Sequence, residues 1–307
     1  MSTLQAFFIA ILQGATELFP ISSLGHAVVV PAVLGWQLDQ RAPEFLPFLV
    51  LLHTGTAVAL ITYFWRDWLG LVLGVLGQGG ATRVAEARRM TVMIVIATIP
   101  AVVLGFVFNA FLKSLFASAL VAAAFLAVNG LVLLFGERLR AGVVQAEAVQ
   151  AGAGQAGAGQ APGNGSMGAK PLLQITPMDA LVIGVWQCGA LIPGLSRAGV
   201  TIVGGLLRGL DHEASAHFSF LIAIPIIVGA TVLEVPHLLH ASVAPGVLAQ
   251  ATAAAVVAGV VAWLSTAFLM RYFRNHDKWA LNPFAYYCLI VGVGAAAYLL
   301  WPNVVPR

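Results

Sequence analysis

The sequence predicts an all-α polytopic membrane protein with an inverted-topology repeat. Of its 307 residues, 60% are hydrophobic and only 9% are charged. A soluble domain of this length has too little interior to bury so much apolar surface. Each half of the chain contains one apolar segment interrupted by a polar motif, followed by three uninterrupted apolar segments. Each half is therefore predicted to be a re-entrant helical hairpin plus three transmembrane helices.

The first repeat is predicted to cover residues 1–140. It begins with an apolar segment at about 4–35 that Pro20 and nearby polar residues interrupt, which predicts two short helices around a loop. Three segments long enough to cross a bilayer follow at about 45–65, 90–112 and 115–135.

A linker at 141–176 is predicted to separate the two repeats. It is rich in Gly, Ala and Gln and contains two near-identical copies of an Ala-Gly-Ala-Gly-Gln segment, so we expect it to be flexible. The second repeat, 177–307, has its interrupted segment at about 178–207. Its predicted crossings lie at about 214–233, 246–270 and 281–301.

The basic residues predict the orientation of these segments. Alternate crossings place most of them on one face: Arg66, Arg83, Arg88, Arg89, Arg138, Arg140, Lys170, Arg208, Arg271, Arg274 and Lys278. By the positive-inside rule this face, with the linker, is cytoplasmic, and both termini are non-cytoplasmic. Because three crossings follow the first hairpin, the second hairpin enters from the opposite side and the repeat is inverted.

The two interrupted segments correspond residue by residue. Gln13 matches Gln187, Ser22 matches Ser196 and Gly25 matches Gly199, each pair 174 positions apart. Paired interrupted helices of this kind typically form the binding site of a membrane protein near the middle of the bilayer. The sequence therefore predicts that the functional site lies where the two hairpins meet.

The polar residues of these segments suit an anionic substrate. Glu17 is an acid in apolar sequence, a costly placement that indicates function, and Ser22, Ser23 and His26 follow it. A serine activated by a histidine or a carboxylate is a candidate nucleophile.

The second segment contributes Arg197 beside Ser196, with Thr201 on the following helix. An arginine can bind a phosphate through two hydrogen bonds, and the helix N-termini near Gly25 and Gly199 add N–H donors.

Two other groups of polar residues are given no catalytic role. His53 lies in an apolar helix and is predicted to be a packing residue. His212, Glu213 and His217 do not have the His-Glu-x-x-His spacing, so no zinc site is predicted there.

The motif from Glu17 to His26, together with Pro193-Gly194-x-Ser196-Arg197-x-Gly199-x-Thr201, resembles the bacterial undecaprenyl-diphosphate phosphatases of the bacitracin-resistance type. The resemblance implies an enzyme of the bacterial inner (plasma) membrane. It would remove the terminal phosphate of the C55 polyprenyl diphosphate and regenerate the carrier used in cell-wall synthesis.

The resemblance also implies roles for individual residues. The catalytic residues would be Ser23 as nucleophile, His26 and Glu17. Of the predicted substrate-binding residues, Arg197 and Gln13 match the family. The others are predicted from their positions in the two interrupted segments: Ser22, Ser196, Thr201, Gly25 and Gly199. Glu17 would bind a divalent cation, Mg or Ca. Departures from the family pattern are Gln13, where some members have a second Glu, together with Leu24 and Ala198.

The expected partners are the polyprenyl diphosphate lipid and the bilayer, with a second copy of the chain as a further candidate and no nucleic acid. Ser23 or an activated water would attack the phosphorus, and His26 or Glu17 would move the proton. The alternative function is a transporter or flippase of a lipid phosphate or another anion, since secondary transporters also use inverted repeats with broken helices.

Overall fold

The computed structural model describes residues 2–36, 45–108, 118–154, 170–240 and 246–301. In these residues the regular secondary structure is entirely helical, which confirms the all-α prediction. Two 3₁₀ helices, Leu172–Gln174 and Cys188–Leu191, accompany eleven α-helices in the described part of the chain: α1 Thr3–Thr16, α2 Ser23–Val33, α3 Phe45–Tyr63, α4 Trp65–Val75, α5 Ala81–Val107, α6 Ala119–Gly154, α7 Pro177–Gln187, α8 Arg197–Leu207, α9 His212–His240, α10 Val247–Asn275 and α11 Asn282–Leu300.

Five of the described helices, α5, α6, α9, α10 and α11, are long and apolar enough to cross a bilayer. A sixth span is available if α3 and α4, which are bent by 79° at the break between them, count as one. Phe64 makes the bend, since its backbone leaves the helical region before α4 begins. Helix α4 was not predicted as a separate element from the sequence.

The two predicted hairpins are pairs of short apolar helices, α1 with α2 and α7 with α8. The second helix of each pair has the same N-cap. The Ser22 hydroxyl accepts a hydrogen bond from the Gly25 N–H (3.2 Å), and the Ser196 hydroxyl accepts one from the Gly199 N–H (3.1 Å). These caps satisfy N–H groups that a helix start leaves unpaired, and they explain why the motif recurs.

The packing of the helices is similar in the two halves. Helix α1 packs on α10 and α7 packs on α5, while α3 packs on α9 and α6 on α11. The α3–α10 contact is close enough that a Cβ at Gly55 would lie 2.0 Å from the Ala255 carbonyl oxygen. The pairing follows the correspondence seen in the sequence, and the inverted orientation of the halves in the membrane stays a prediction.

Helix α6 extends past the predicted end of the first repeat. It continues to Gly154, inside the segment predicted as a flexible linker. Alanine is the strongest helix former, so an Ala-rich stretch can continue a helix. Residues 155–169 of the linker, and the ends of two predicted crossings at 109–117, lie outside the described residues.

Candidate active site

The loops of the two hairpins contact each other. We call residues 17–22, between α1 and α2, the first loop, and residues 192–196, before α8, the second loop. Asn129 of α6 joins them, because its Nδ2 donates to the Pro20 carbonyl (2.8 Å) and its Oδ1 accepts from the Ser196 N–H (2.9 Å). The Ser196 hydroxyl also donates to the Phe19 carbonyl (3.3 Å).

Two backbone conformations give the loops this shape. Gly194 has φ +100, and a Cβ there would lie 2.3 Å from the Ala122 carbonyl oxygen, so only glycine fits. Ser22 has φ +67, which is rare for a residue with a side chain and is typical of strained backbone at functional sites. This turn at Ser22 places Ser23 as the first residue of α2.

Glu17 is the centre of the site, with only 7% of its surface exposed. Its Oε2 accepts hydrogen bonds from Ser23 Oγ (2.5 Å) and from Gln13 Nε2 (2.9 Å). Its Oε1 accepts one from the Arg197 guanidinium (3.2 Å). The structure therefore brings together the predicted nucleophile, carboxylate and arginine from both halves of the chain.

Arg197 makes contacts with two acceptors through its two terminal nitrogens. One donates to Glu17 and the other to the Ser219 carbonyl of α9 (3.1 Å). Thr201, one turn further along α8, donates to the Arg197 carbonyl (2.7 Å) and is hydrogen-bonded to the Ser219 hydroxyl (2.6 Å). Helix α9 thus supports the position of the arginine side chain.

His26 is buried in the same region, but its hydrogen bonds go elsewhere than to Ser23. Its Nδ1 lies 2.6 Å from the Ser22 carbonyl oxygen and its Nε2 lies 2.8 Å from the Tyr287 hydroxyl. In the described residues Ser23 Oγ bonds instead to Glu17. Glu17 is therefore the group best placed to accept the proton of Ser23.

The prediction that His53 is only a packing residue is wrong. Its Nε2 lies 3.3 Å from Glu17 Oε2, and its Nδ1 lies 2.8 Å from the Leu49 carbonyl oxygen. Helix α3 carries this imidazole to the site, although its sequence lies outside both motifs.

Three further residues of the site, on α6, α9 and α11, were not predicted from the sequence. Asn129 bonds both loops, the Ser219 carbonyl accepts from Arg197, and the Tyr287 hydroxyl bonds His26. Each is a polar residue within an apolar helix. That signal was available in the sequence, although it did not identify the partner of any one of them.

The remaining predicted residues have structural contacts. The hydroxyls of Ser22 and Ser196 accept hydrogen bonds from backbone N–H groups as N-caps. A Cβ at Gly25 would lie 3.1 Å from Gly194 Cα, which shows how closely the two loops approach each other. Gln13 bonds Glu17 through its Nε2, while its Oε1 is buried with no hydrogen-bond partner among the described residues.

Known proteins resemble this chain over nearly its full length. A family model described as bacitracin resistance protein BacA matches residues 6–294. An undecaprenyl-diphosphatase of Granulibacter bethesdensis is 60% identical over 299 residues, covering 97% of this chain and 97% of that protein.

The undecaprenyl-diphosphatase of Acidiphilium cryptum is 55% identical over 294 residues, covering 95% of this chain and 96% of that protein. The undecaprenyl-diphosphatase of Gluconobacter oxydans is 46% identical over 300 residues, covering 98% of this chain and 100% of that protein. Family model and relatives agree over both hairpins and the helices between them. The chain belongs to the bacitracin resistance protein BacA family.

Proposed function

We propose that this protein hydrolyses undecaprenyl diphosphate to undecaprenyl phosphate and inorganic phosphate, and thereby recycles the lipid carrier of cell-wall synthesis. The observation that carries the proposal is the buried contact of Ser23 with Glu17, whose other oxygen is bonded to Arg197. A nucleophile, a proton acceptor and a phosphate-binding cation are the groups that phosphoryl transfer requires. The relatives named undecaprenyl-diphosphatase support the same substrate.

In the proposed reaction, Ser23 Oγ attacks the terminal phosphorus and its proton passes to Glu17 Oε2. The bond between that phosphorus and the bridging oxygen breaks, and undecaprenyl phosphate leaves. A water then attacks the phosphorus of the phosphoserine, the bond from phosphorus to Ser23 Oγ breaks, and Glu17 returns its proton to Oγ as inorganic phosphate leaves. Direct attack by a water that Glu17 activates gives the same products, and trapping of a phosphoserine would separate the two routes.

Arg197 would stabilise the charge that spreads over the transferred phosphoryl oxygens. Because Arg197 donates to Glu17, a bound phosphate would compete with Glu17 for the guanidinium. Loss of that cationic partner would leave the carboxylate a better proton acceptor when the substrate is in place. His26, which lies one turn after Ser23 on α2, is the second candidate for proton transfer.

We further propose that a divalent cation, Mg or Ca, binds at Glu17. Among the described residues no group of three or more His, Cys, Asp or Glu side chains could hold a metal ion alone. Glu17 and the unpartnered Gln13 Oε1 nevertheless fit a cation that takes its other ligands from phosphate, as Mg²⁺ commonly does. When bound, the cation would neutralise part of the diphosphate charge.

The experiment that tests the function is release of inorganic phosphate from undecaprenyl diphosphate by the purified protein in detergent. Transport is impossible there, so phosphate release separates a phosphatase from the alternative, a lipid-phosphate flippase. Ser23→Ala, purified in the same way, is the control for contaminating phosphatases. No release by well-folded wild-type protein would refute the proposal.

Repeating the assay with a chelator tests the cation. We expect activity to fall and to return with added Mg or Ca, and we expect Glu17→Gln to abolish the metal response. Full-rate hydrolysis in chelator would contradict the metal site and leave Glu17 with proton transfer alone.

We propose the topology predicted above for the membrane-embedded chain, with both termini outside the cytoplasm and the linker inside. Single cysteines placed near either terminus should react with an impermeant thiol reagent added outside the cell, and a cysteine in 155–169 should not. Labelling of the linker from outside would contradict the inverted repeat. A homodimer is a further hypothesis, which cross-linking in native membranes would test.

A further inference from the structure

Tyr287 of α11 is bonded to His26 from a part of the chain far from either loop motif. Its hydroxyl lies 2.8 Å from His26 Nε2, across a separation of 261 positions. The two rings are stacked, with centroids 5.6 Å apart and an angle of 13° between their planes. The hydroxyl and the ring of Tyr287 therefore both contact the same imidazole.

The hydrogen bonds define which ring nitrogen of His26 carries the proton. Nδ1 faces the Ser22 carbonyl oxygen at 2.6 Å, and a carbonyl can only accept, so Nδ1 must donate. In the neutral imidazole Nε2 is then without a hydrogen and accepts from the Tyr287 hydroxyl. Tyr287 thus supplies the donor that the unprotonated Nε2 of this tautomer requires.

The hydrogen bond between Tyr287 and His26 is shielded on the histidine side. Only 2% of His26 is exposed, whereas 40% of Tyr287 is exposed. The next residue, Cys288, is buried and accepts a hydrogen bond from Asn129, the residue that joins the two loops. Helix α11 is therefore held against the site next to Tyr287, and the tyrosine has a defined position.

We propose that Tyr287 is a positioning residue of the phosphatase site, which acts by holding His26 in the Nδ1–H tautomer with Nε2 oriented toward α11. The inference rests on the proposed function, since it gives His26 a part in the phosphoryl-transfer site. Without the hydroxyl, the buried Nε2 loses its donor and the imidazole can rotate or exchange tautomers. His26 would then lose the fixed position, one turn after Ser23, from which it could take part in proton transfer.

The test compares Tyr287→Phe with Tyr286→Phe. Each removes one hydroxyl and keeps the ring, and Tyr286 is an adjacent residue with 54% of its surface exposed. We expect Tyr287→Phe to lower kcat for undecaprenyl diphosphate about tenfold with KM changed less than about twofold. Tyr286→Phe should match the wild type in both constants.

A spectroscopic measurement separates positioning from packing. The ¹⁵N shifts of labelled histidine, with the His26 signal assigned by its loss in His26→Gln, report which ring nitrogen is protonated. We expect the Nδ1–H tautomer in the wild type and in Tyr286→Phe, and a mixture in Tyr287→Phe. An unchanged tautomer in Tyr287→Phe, or a kcat equal to that of Tyr286→Phe, would overturn the proposal. If the wild type itself releases no phosphate, the proposed function fails and the tautomer measurement still tests the contact.

Discussion

Two buried clusters of this protein use the same three residue types and differ in everything else around them. Each combines a glutamate, an arginine and a histidine: Glu17, Arg197 and His53 in the active-site cluster, and Glu137, Arg140 and His212 in the second cluster. Both glutamates are almost completely buried. Burial of a carboxylate beside cationic partners therefore does not by itself identify a catalytic site.

The second cluster joins helices through its hydrogen bonds. Glu137 Oε1 accepts from His212 Nε2 (2.8 Å) and from the Leu281 N–H (2.6 Å). Arg140 donates to the carbonyl and the carboxylate of Asp277, each at 2.7 Å. These bonds tie α6, α9 and the segment between α10 and α11 together.

The active-site cluster lies instead at the end of a helix, beside a loop. Its carboxylate accepts hydrogen bonds from the Ser23 hydroxyl and from Gln13 Nε2. Within the described residues, Gln13 Oε1 has no hydrogen-bond partner. The comparison indicates that a nucleophile within hydrogen-bond distance of the carboxylate is what distinguishes the candidate catalytic cluster from a structural one.

Among variants that test this comparison, Ser23→Ala is expected to have the largest effect on activity. Removal of the attacking oxygen should lower kcat at least about 1,000-fold, while the loss of one hydrogen bond should change stability by only about 1 kcal/mol. Single-turnover phosphate release and thermal unfolding in detergent measure the two quantities. A variant with more than about a tenth of wild-type activity would show that Ser23 is not the nucleophile.

A smaller loss of activity is expected for Arg197→Lys. An ammonium cannot reproduce the planar arrangement by which the guanidinium contacts Glu17 and Ser219 at once, so kcat/KM should fall about 100-fold. Arg138→Lys, at an exposed position of α6, is the matched control and should leave kcat/KM unchanged. Near-wild-type activity of Arg197→Lys would mean that only the charge matters.

The second cluster should respond in stability rather than in activity. Glu137→Gln removes the carboxylate that pairs with the buried His212, which should lower the free energy of unfolding by about 3 kcal/mol. The rate per folded molecule should stay within about twofold of wild type. Glu213→Gln, which removes the exposed pair with Arg274, is the control and should cost less than about 1 kcal/mol. A loss of activity without loss of stability would give the second cluster a catalytic role.

The smallest expected effect is the contribution of Asp277 to the pH dependence of stability. Partial burial raises the pKa of this carboxyl, but the hydrogen bonds from His212 and Arg140 outweigh it and hold the pKa below its ordinary value of 3.8. Such a group stabilises the fold above its unfolded pKa, and the contribution is lost as the pH falls through the folded pKa. The unfolding temperature of wild type should therefore drop more steeply below about pH 4 than that of Asp277→Asn. Parallel curves would show that the bond to Arg140 adds nothing measurable.

Much of the site could be predicted because local sequence encodes it. An acid and a serine pair beside Pro20 are costly in apolar sequence, which indicated a function, and the repeat of Ser22 at Ser196 identified equivalent loop ends. The caps at both serines show why the motif recurs. Glu17 and Ser23 lie in one loop and at the start of the next helix, so their contact follows from a single turn of the chain.

The contacts of His53, Asn129 and Tyr287 could not be predicted in this way. Each lies in an apolar helix, where a side chain reaches the site only if that helix has a particular rotation and neighbour. The C-terminal part of α6 is a different case. Its Gly- and Ala-rich composition predicted a flexible linker, whereas the backbone continues as a helix to Gly154.

The sequence by itself determined that the chain is a helical membrane protein, that two broken helices carry its polar residues and that a serine, a carboxylate and an arginine belong to one site. These features depend on composition and on residues close together in the chain. The tertiary structure decided which partner each residue bonds: Glu17 rather than His26 for Ser23, and Tyr287 for His26. The physical reason is that hydrogen bonds require atoms within about 3 Å, and only the packing of α3, α6, α9 and α11 around the loops sets distances of that size.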